Sequence, residues 1–497
     1  LRVAINLFKP PGAGPNGSHQ PFLINSMPTM SLSPDTFFLQ QIWQAVGGAP
    51  AALERVRFLG EGALASVFEV TPLAAASMAA AGLAAATLEQ VLHGLDTPPV
   101  VTVDRRLASM WFALSVRPQG WALPPAWDAV AGDYRCADGW IRLHTNAPAH
   151  RAAALAVLGV PPKRAAVTQA VRAWPAEALE SAVVAQGGCA AALRSASQWQ
   201  AHAQGRAVRA TPLLEQQPGL PAAAPGWQPV RGRPLQGLRV LDLTRILAGP
   251  VATRLLAALG AEVLRIDPPG WDEPSLAPEV TVGKRCARLD LKSPEGQARF
   301  QALLQGADVL VHGYRSDALE ALGLGAAQRQ AWRPGLVDVA LDAYGFTGPW
   351  ARRRGFDSLV QMSIGVADAG RRSQGDDTAP VPLPVQALDH ATGYLLACAA
   401  LRGLTQRLQH GQGSLWRASL ARTGQLLQEY PSPSPTSPPA PALAPETEAD
   451  LLPTREATAW GPARRLRPAL SIDGLVLQHA LPAGPLGSSP ARWHDGG

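Results

Sequence analysis

The run RVLDLTRILAGPVATRLLAALGAEVLRID, residues 239–267, constrains this chain more than any other stretch. Leu238 to Leu243 is a short apolar strand, Gly249-Pro250 marks a turn, and Val251 to Leu259 carries apolar residues at helical spacing. Gly260 closes that helix, and Ala261 to Ile266 is the next strand. Further strand and helix pairs begin at Ala307 to Val311 and at Leu336 to Leu341. Strands alternating with helices predict an α/β fold with a parallel, doubly wound sheet.

A second feature is Asp389, in Leu383-Pro384-Val385-Gln386-Ala387-Leu388-Asp389-His390-Ala391-Thr392-Gly393. A carboxylate opening an Ala-rich helix has backbone N–H groups and the helix dipole beside it, which favours its ionised form. Such a group serves as nucleophile or base. The plainer reading is that Asp389 only caps the helix running through Leu395 and Cys398.

Several chemistries are excluded. A dinucleotide site of the usual kind needs G-x-G-x-x-G after the first strand, whereas the turn here is Thr244-Arg245-Ile246-Leu247-Ala248-Gly249-Pro250, which counts against NAD. No P-loop, H-E-x-x-H or G-x-S-x-G is present. Cys136, Cys189, Cys286 and Cys398 are far apart and without partnered histidines, so neither metal nor disulfide is expected, and a reducing cytoplasm is the expected compartment. The net charge of +6 is spread as scattered arginine, with lysine only at positions 9, 163, 284 and 292, and gives no nucleic-acid patch. Pro72 to Leu88 is the most apolar stretch, but alanine dominates it, so it reads as a buried helix with no role in a membrane. Gly188-Cys189, His144 and His150 read as structural residues of a helical domain.

The expected organisation has five parts. Residues 1–30 form a doubtful or disordered leader, with Met27 or Met30 the expected start. Residues 31–230 hold a smaller, mostly helical α+β domain with a hairpin signal at Asp138-Gly139, ending in a connector from Pro218 to Pro234. The parallel-sheet domain spans 231–430, a Pro-rich linker spans 431–450, and residues 451–497 are too few to fold alone and must pack on the rest.

From about Pro234 to Leu427 the chain resembles the class III coenzyme A transferase family, the CaiB/BaiF-type acyl-CoA transferases and racemases. The resemblance is carried in order by Arg239 to Thr244, Ala248-Gly249-Pro250, Leu259 to Val263, Gly283-Lys284-Arg285, Leu289 to Lys292, Ala307 to Val311, Tyr344-Gly345, Gly348-Pro349-Trp350, Gly355-Phe356-Asp357 and Asp389 to Gly393. It implies a Rossmann-like CoA-binding domain and transfer of CoA between an acyl-CoA and a carboxylic acid. It also implies that Asp389 attacks the thioester, giving a mixed anhydride and then further covalent aspartyl intermediates. Implied CoA contacts are Leu247, Ala248, Leu289, Lys292, Gly313, Tyr314, Arg315 and Arg354. Three adjacent arginines, Arg352 to Arg354, repel unless anions neutralise them; for Arg354 the structural alternative is a salt bridge to Asp357.

The chain departs from the family pattern at Leu247, where a polar side chain is common, and at Pro268 and Ala321, where basic residues are common. A weaker likeness joins Ala131 to Ile141 to the family's small domain, and Pro72 to Leu88 to the helix that Asp389 opens, with Thr71 and Pro72 in place of an aspartate. The resulting expectation is a rearranged or fused two-copy chain. Alternative readings are an α-methylacyl-CoA racemase, against which Phe356 stands in place of a proton-moving histidine unless His390 or His312 substitutes, and a catalytically weak CoA-binding paralogue. The resemblance implies a homodimer, unless the two halves satisfy each other within one chain.

Overall fold

The computed structural model describes residues 32–222, 227, 229–375, 378–431 and 441–494. The leader expected over residues 1–30 and the most Pro-rich part of the linker, 432–440, lie outside the described residues.

Seven strands make the main sheet, in the order Lys284–Arg288, Glu262–Asp267, Arg239–Leu243, Val309–His312, Val337–Asp342, Gln412–Ser419, Glu215–Pro221. Every neighbouring pair is parallel except the last, which is antiparallel. The fold is therefore α/β with a mixed, mainly parallel sheet. Val309–His312 is buried at every position, as befits a strand covered on both faces. Strand order runs outward in both directions from Arg239–Leu243, so a crevice opens beyond the C-terminal ends of that strand and of Val309–His312.

Three strands depart from the sequence reading, Gln412–Ser419, which it did not include, and two more. Residues 215–221, partly assigned to the connector, form the antiparallel edge strand; Pro218 and Pro221 are tolerated because an edge strand needs hydrogen bonds on one side only. Lys284–Arg288 was not foreseen as a strand because its ends are charged. Its Lys284 side chain is fully buried, with Nζ donating to Asp242 Oδ2 at 3.0 Å, the Pro250 carbonyl at 3.0 Å and Thr253 Oγ1 at 2.6 Å, a network that ties its strand to Arg239–Leu243 and to the helix that follows that strand.

The smaller α+β region has Gly132–Arg135 and Ala190–Ala192 antiparallel to the central Trp140–Leu143. The hairpin loop is four residues, Cys136 to Gly139, closed by the Cys136 N–H on the Gly139 carbonyl at 2.9 Å. The two-residue turn expected at Asp138-Gly139 does not form, since Asp138 Oδ1 accepts from the Ala176 N–H and Gly139 does not take a positive φ.

The halves share one core. Helix Val70–His93, the one described helix long and apolar enough to cross a membrane by length and composition, is buried against helix Ala387–His410, with Cys398 Sγ on the Ala80 carbonyl at 3.4 Å. Alanines and glycines along both helices allow this close approach.

The two helices are alike in detail. Each has 24 residues, each is preceded by a residue with φ −77° and ψ 64° or 65°, and each ends on a left-handed glycine. Each is followed by a strand that pairs parallel with one neighbour and antiparallel with another, then by a helix capped by Asp104 or Ser419. Pro72 stands third in its helix, as Asp389 does in the other.

The C-terminal segment packs on these elements. Gly461–Arg465 pairs with both Glu456–Thr458 and Val116–Pro118, and Leu470–Ile472 pairs with Val101–Asp104. Residues 441–450, expected to be a free linker, are pinned: Arg106 grips Asp450 through two bonds at 2.6 and 2.8 Å, and Arg117 Nε donates to Glu446 at 2.9 Å.

Candidate active site

A cavity of about 560 Å³ occupies the crevice at the strand ends. Its wall is built from the segments that follow five strands: Thr244 to Ala248, Pro268 and Trp271, Asp290 to Lys292, Gly313 to Arg315, and Asp342-Ala343. Arg353 to Phe356 and Asp389 complete it.

Asp389 is 6% exposed, the third residue of its helix, and faces this cavity. It does not cap the helix. The cap is Asp357, whose Oδ2 accepts from the N–H groups of Leu388 at 2.9 Å and Asp389 at 3.0 Å, while Gln361 Nε2 donates to its Oδ1. Gln361 in turn accepts the Leu383 N–H at 2.7 Å, fixing the approach to the helix.

The expectation that the helix start favours ionised Asp389 is thereby overturned. The freed N–H groups serve Asp357, and burial followed by the neighbouring Asp357 charge raises the Asp389 pKa well above the usual carboxylate range. Burial also pushes Asp357 up to about 6, against its backbone and Gln361 bonds. Two buried carboxyls this close cannot both ionise freely.

The same cavity carries positive charge. Arg245, Lys292, Arg315 and Arg354 line the cavity, and none of them makes an ion pair among the described residues. The arginine triplet divides accordingly. Arg353 pairs with Glu180 at 2.8 Å and packs 3.9 Å over the Trp350 ring, and Arg352 meets Asp317 at 3.6 Å. Arg354 is exposed, and among the described residues its one hydrogen bond is to the Gly187 carbonyl, at 3.4 Å. Asp357 is occupied by the helix, so the alternative salt bridge to Arg354 does not form.

Leu247, Ala248, Lys292, Gly313, Tyr314, Arg315, Arg354 and Asp389 thus share one cavity. Leu289 does not reach it. Its N–H extends the strand pairing onto the Asp267 carbonyl at 2.9 Å, which turns its side chain toward a separate apolar cluster. Pro268 and Ala321 are on the wall, so the loss of basic residues there makes that side less cationic.

Four features escaped the sequence reading. Ile246 adopts φ 66°, a strained conformation for a β-branched residue. Its N–H is held at 2.7 Å by Glu273, itself gripped by the wholly buried Arg265. Arg245 lies 5.1 Å from the Trp271 ring centroid and 4.8 Å from that of Tyr314, a cation between two aromatic faces on the cavity wall.

Asp342 ends its strand inside the cavity, and burial raises it to about 7 although its carboxylate accepts backbone N–H groups. His150, from the smaller region, is on the wall as well, with its pKa lowered by burial and then by Arg354. Among these, only the strand-end position of Asp342 carries a signal in the sequence.

His144 stacks on Phe356 at 3.8 Å and is pushed down to about 3 by burial. His390 stacks on Phe112 at 5.0 Å, away from the cavity, and His312 is held at 3.3 Å by Asp338, so neither replaces the histidine that Phe356 lacks.

Fold and site together define an α/β protein with a buried carboxyl facing a cationic cavity at the sheet's switch point. Residues 235–446 match the model of CoA-transferase family III. The chain is 33% identical over 217 residues to the succinyl-CoA–D-citramalate CoA-transferase of Chloroflexus aurantiacus, covering 40% of this chain and 53% of that protein. It is 34% identical over 194 residues to the succinyl-CoA:glutarate CoA-transferase of Homo sapiens, covering 36% and 44%. An acyl-CoA transferase of Gibberella moniliformis is 30% identical over 324 residues, 60% of this chain and 57% of that protein, a match that reaches beyond residues 235–446. The chain spans about half the length of the curated relatives it matches.

Proposed function

We propose that the protein transfers coenzyme A between an acyl-CoA and a carboxylic acid, with Asp389 as the covalent nucleophile. The observation that carries this reading is the placement of Asp389, a buried carboxyl facing a cavity lined by four cations without ion pairs among the described residues. The phosphates of CoA suit Arg245, Lys292, Arg315 and Arg354. Ionised Asp389 attacks the thioester carbonyl; the C–S bond breaks, CoA leaves as thiolate, and a mixed anhydride remains. The thiolate then attacks the aspartyl carbonyl, releasing the first acid and leaving an aspartyl-CoA thioester. The acceptor carboxylate attacks that thioester, and the returning thiolate takes the new acyl group, regenerating Asp389. Burial serves this cycle because it withholds water from the anhydride.

Two named relatives are succinyl-CoA-dependent transferases, which supports the reaction class for this chain. The racemase reading is not favoured, since Phe356 has no proton to move and His390 and His312 lie off the cavity.

We infer further that residues 34–111 descend from a second copy of the region around Asp389. The matched helices and strand pairing support this, and Pro72 in the place of Asp389 leaves one nucleophile per chain. Incubation with succinyl-CoA or other acyl-CoA donors followed by hydroxylamine tests both statements. One hydroxamate per chain, mapped to Asp389, is expected; a product without any adduct refutes the covalent route.

A further inference from the structure

A second cavity of about 720 Å³, larger than the first, lies farther along helix Ala248–Ala258, against Val251, Arg254, Leu255 and Ala258, and shares no lining residue with the first. Its interior is apolar, with Met78, Leu255, Leu466, Leu470 and Leu477 on the wall and Tyr394 beside them. Two further lining residues, Val476 at 49% and Leu481 at 40%, are among the few large apolar side chains that stand exposed among the described residues. Apolar residues left open around a large apolar cavity are the mark of a surface that expects a ligand.

The charges at the cavity are almost all neutralised. Arg254 pairs with Glu279, and Arg465 pairs with Glu456 and, at 3.5 Å, with Glu279. His479 is held neutral because burial and the surrounding arginines lower its pKa to about 3. Arg455 is the exception: exposed on the lining, it makes no ion pair among the described residues. An apolar interior with one uncompensated cation on an exposed part of its wall matches a molecule with a long apolar body and a single negative charge.

We propose that this cavity binds a long-chain monocarboxylate, its chain inside against Leu466 and Leu477 and its carboxylate on Arg455. The site is independent of the Asp389 cavity and of the transfer reaction. A polyanion such as CoA itself is a poor match here, since among the described residues only one cation on the lining is without an ion pair.

Calorimetric titration of the full chain with dodecanoate and with dodecanol, below their micelle or solubility limits, tests this. Saturable binding of dodecanoate at one site per chain is expected. Arg455→Glu should weaken dodecanoate about tenfold or more and leave dodecanol unchanged, because a charge-assisted contact to a carboxylate is worth roughly 1.5 to 3 kcal/mol. Leu481→Asp should weaken both ligands. Both substitutions are at exposed positions, and melting curves confirm that the variants fold. Absence of saturable binding, an unchanged dodecanoate affinity in Arg455→Glu, or displacement of dodecanoate by CoA would each overturn the proposal, the last by placing the ligand in the other cavity.

Discussion

Replacing Asp389 by Asn should make the protein more stable while removing its activity. The carboxyl is buried beside Asp357, and both causes acting on it raise its pKa, so ionising it in the folded state is unfavourable. A carboxyl whose folded pKa is raised binds its proton more tightly in the native than in the unfolded chain. Its stabilising contribution is therefore full below the unfolded pKa and is lost as pH rises through the folded pKa. At pH 7.5 the wild type carries the cost of a carboxyl that must either ionise in a buried site or hold a proton the unfolded chain has released, and the Asn variant carries neither. Each unit of pKa elevation corresponds to about 1.4 kcal/mol of native-state cost once the pH lies above it. The variant should accordingly gain on the order of 1 kcal/mol or more in urea unfolding at pH 7.5, the equivalent of at least one pKa unit. Near pH 4, where the folded carboxyl keeps its proton, the gain should shrink below about 1 kcal/mol. Turnover should fall by roughly three orders of magnitude or more, as removal of a covalent nucleophile requires. An Asn variant that keeps more than about a tenth of wild-type turnover refutes the nucleophile. One that is no more stable at pH 7.5 than the wild type refutes the account of the buried pair.

The acid limb of the transfer rate should lie above the usual carboxylate range, because Asp389 must lose its proton to attack; Asp357→Asn, which removes the neighbouring charge, should move that limb to lower pH in initial-rate profiles. Arg354→Ala should weaken CoA binding by about ten- to a hundredfold in calorimetry with little change in melting temperature, since Arg354 has no carboxylate partner among the described residues; an unchanged affinity removes it from the site. Gly393→Ala should lower both turnover and melting temperature, because a Cβ there would sit 2.5 Å from the Ala248 carbonyl and 2.8 Å from Val251 Cβ, forcing the Asp389 helix off the turn that carries Leu247. Wild-type values for that variant would show the helix contact to be slack.

What the sequence made legible follows from how local each feature is. Arg239–Leu243, Glu262–Asp267, Val309–His312 and Val337–Asp342 announce themselves because apolar runs need no distant partner to be recognised, and Asp389 is marked by its place at a helix start. Lys284–Arg288 stayed hidden because its buried lysine is acceptable only once Asp242 and Thr253 are seen to surround it. Asp357 sits 32 positions before Asp389, and nothing in either segment says that its carboxylate will take the N–H groups a helix start usually offers its own residues. The electrostatics of Asp389 reverse on that one long-range contact. Ile246 is a harder case, since no residue type argues less for a left-handed φ, and only the grip of Glu273 and Arg265 holds it there. His150 reaches the cavity from the smaller region, so its place depends on how two distant segments dock. In each instance the hidden residue acts by constraining or charging a neighbour that the sequence did reveal. Residue identity along the chain therefore indicates which group can do the chemistry, while long-range packing sets the protonation state and the geometry in which it acts.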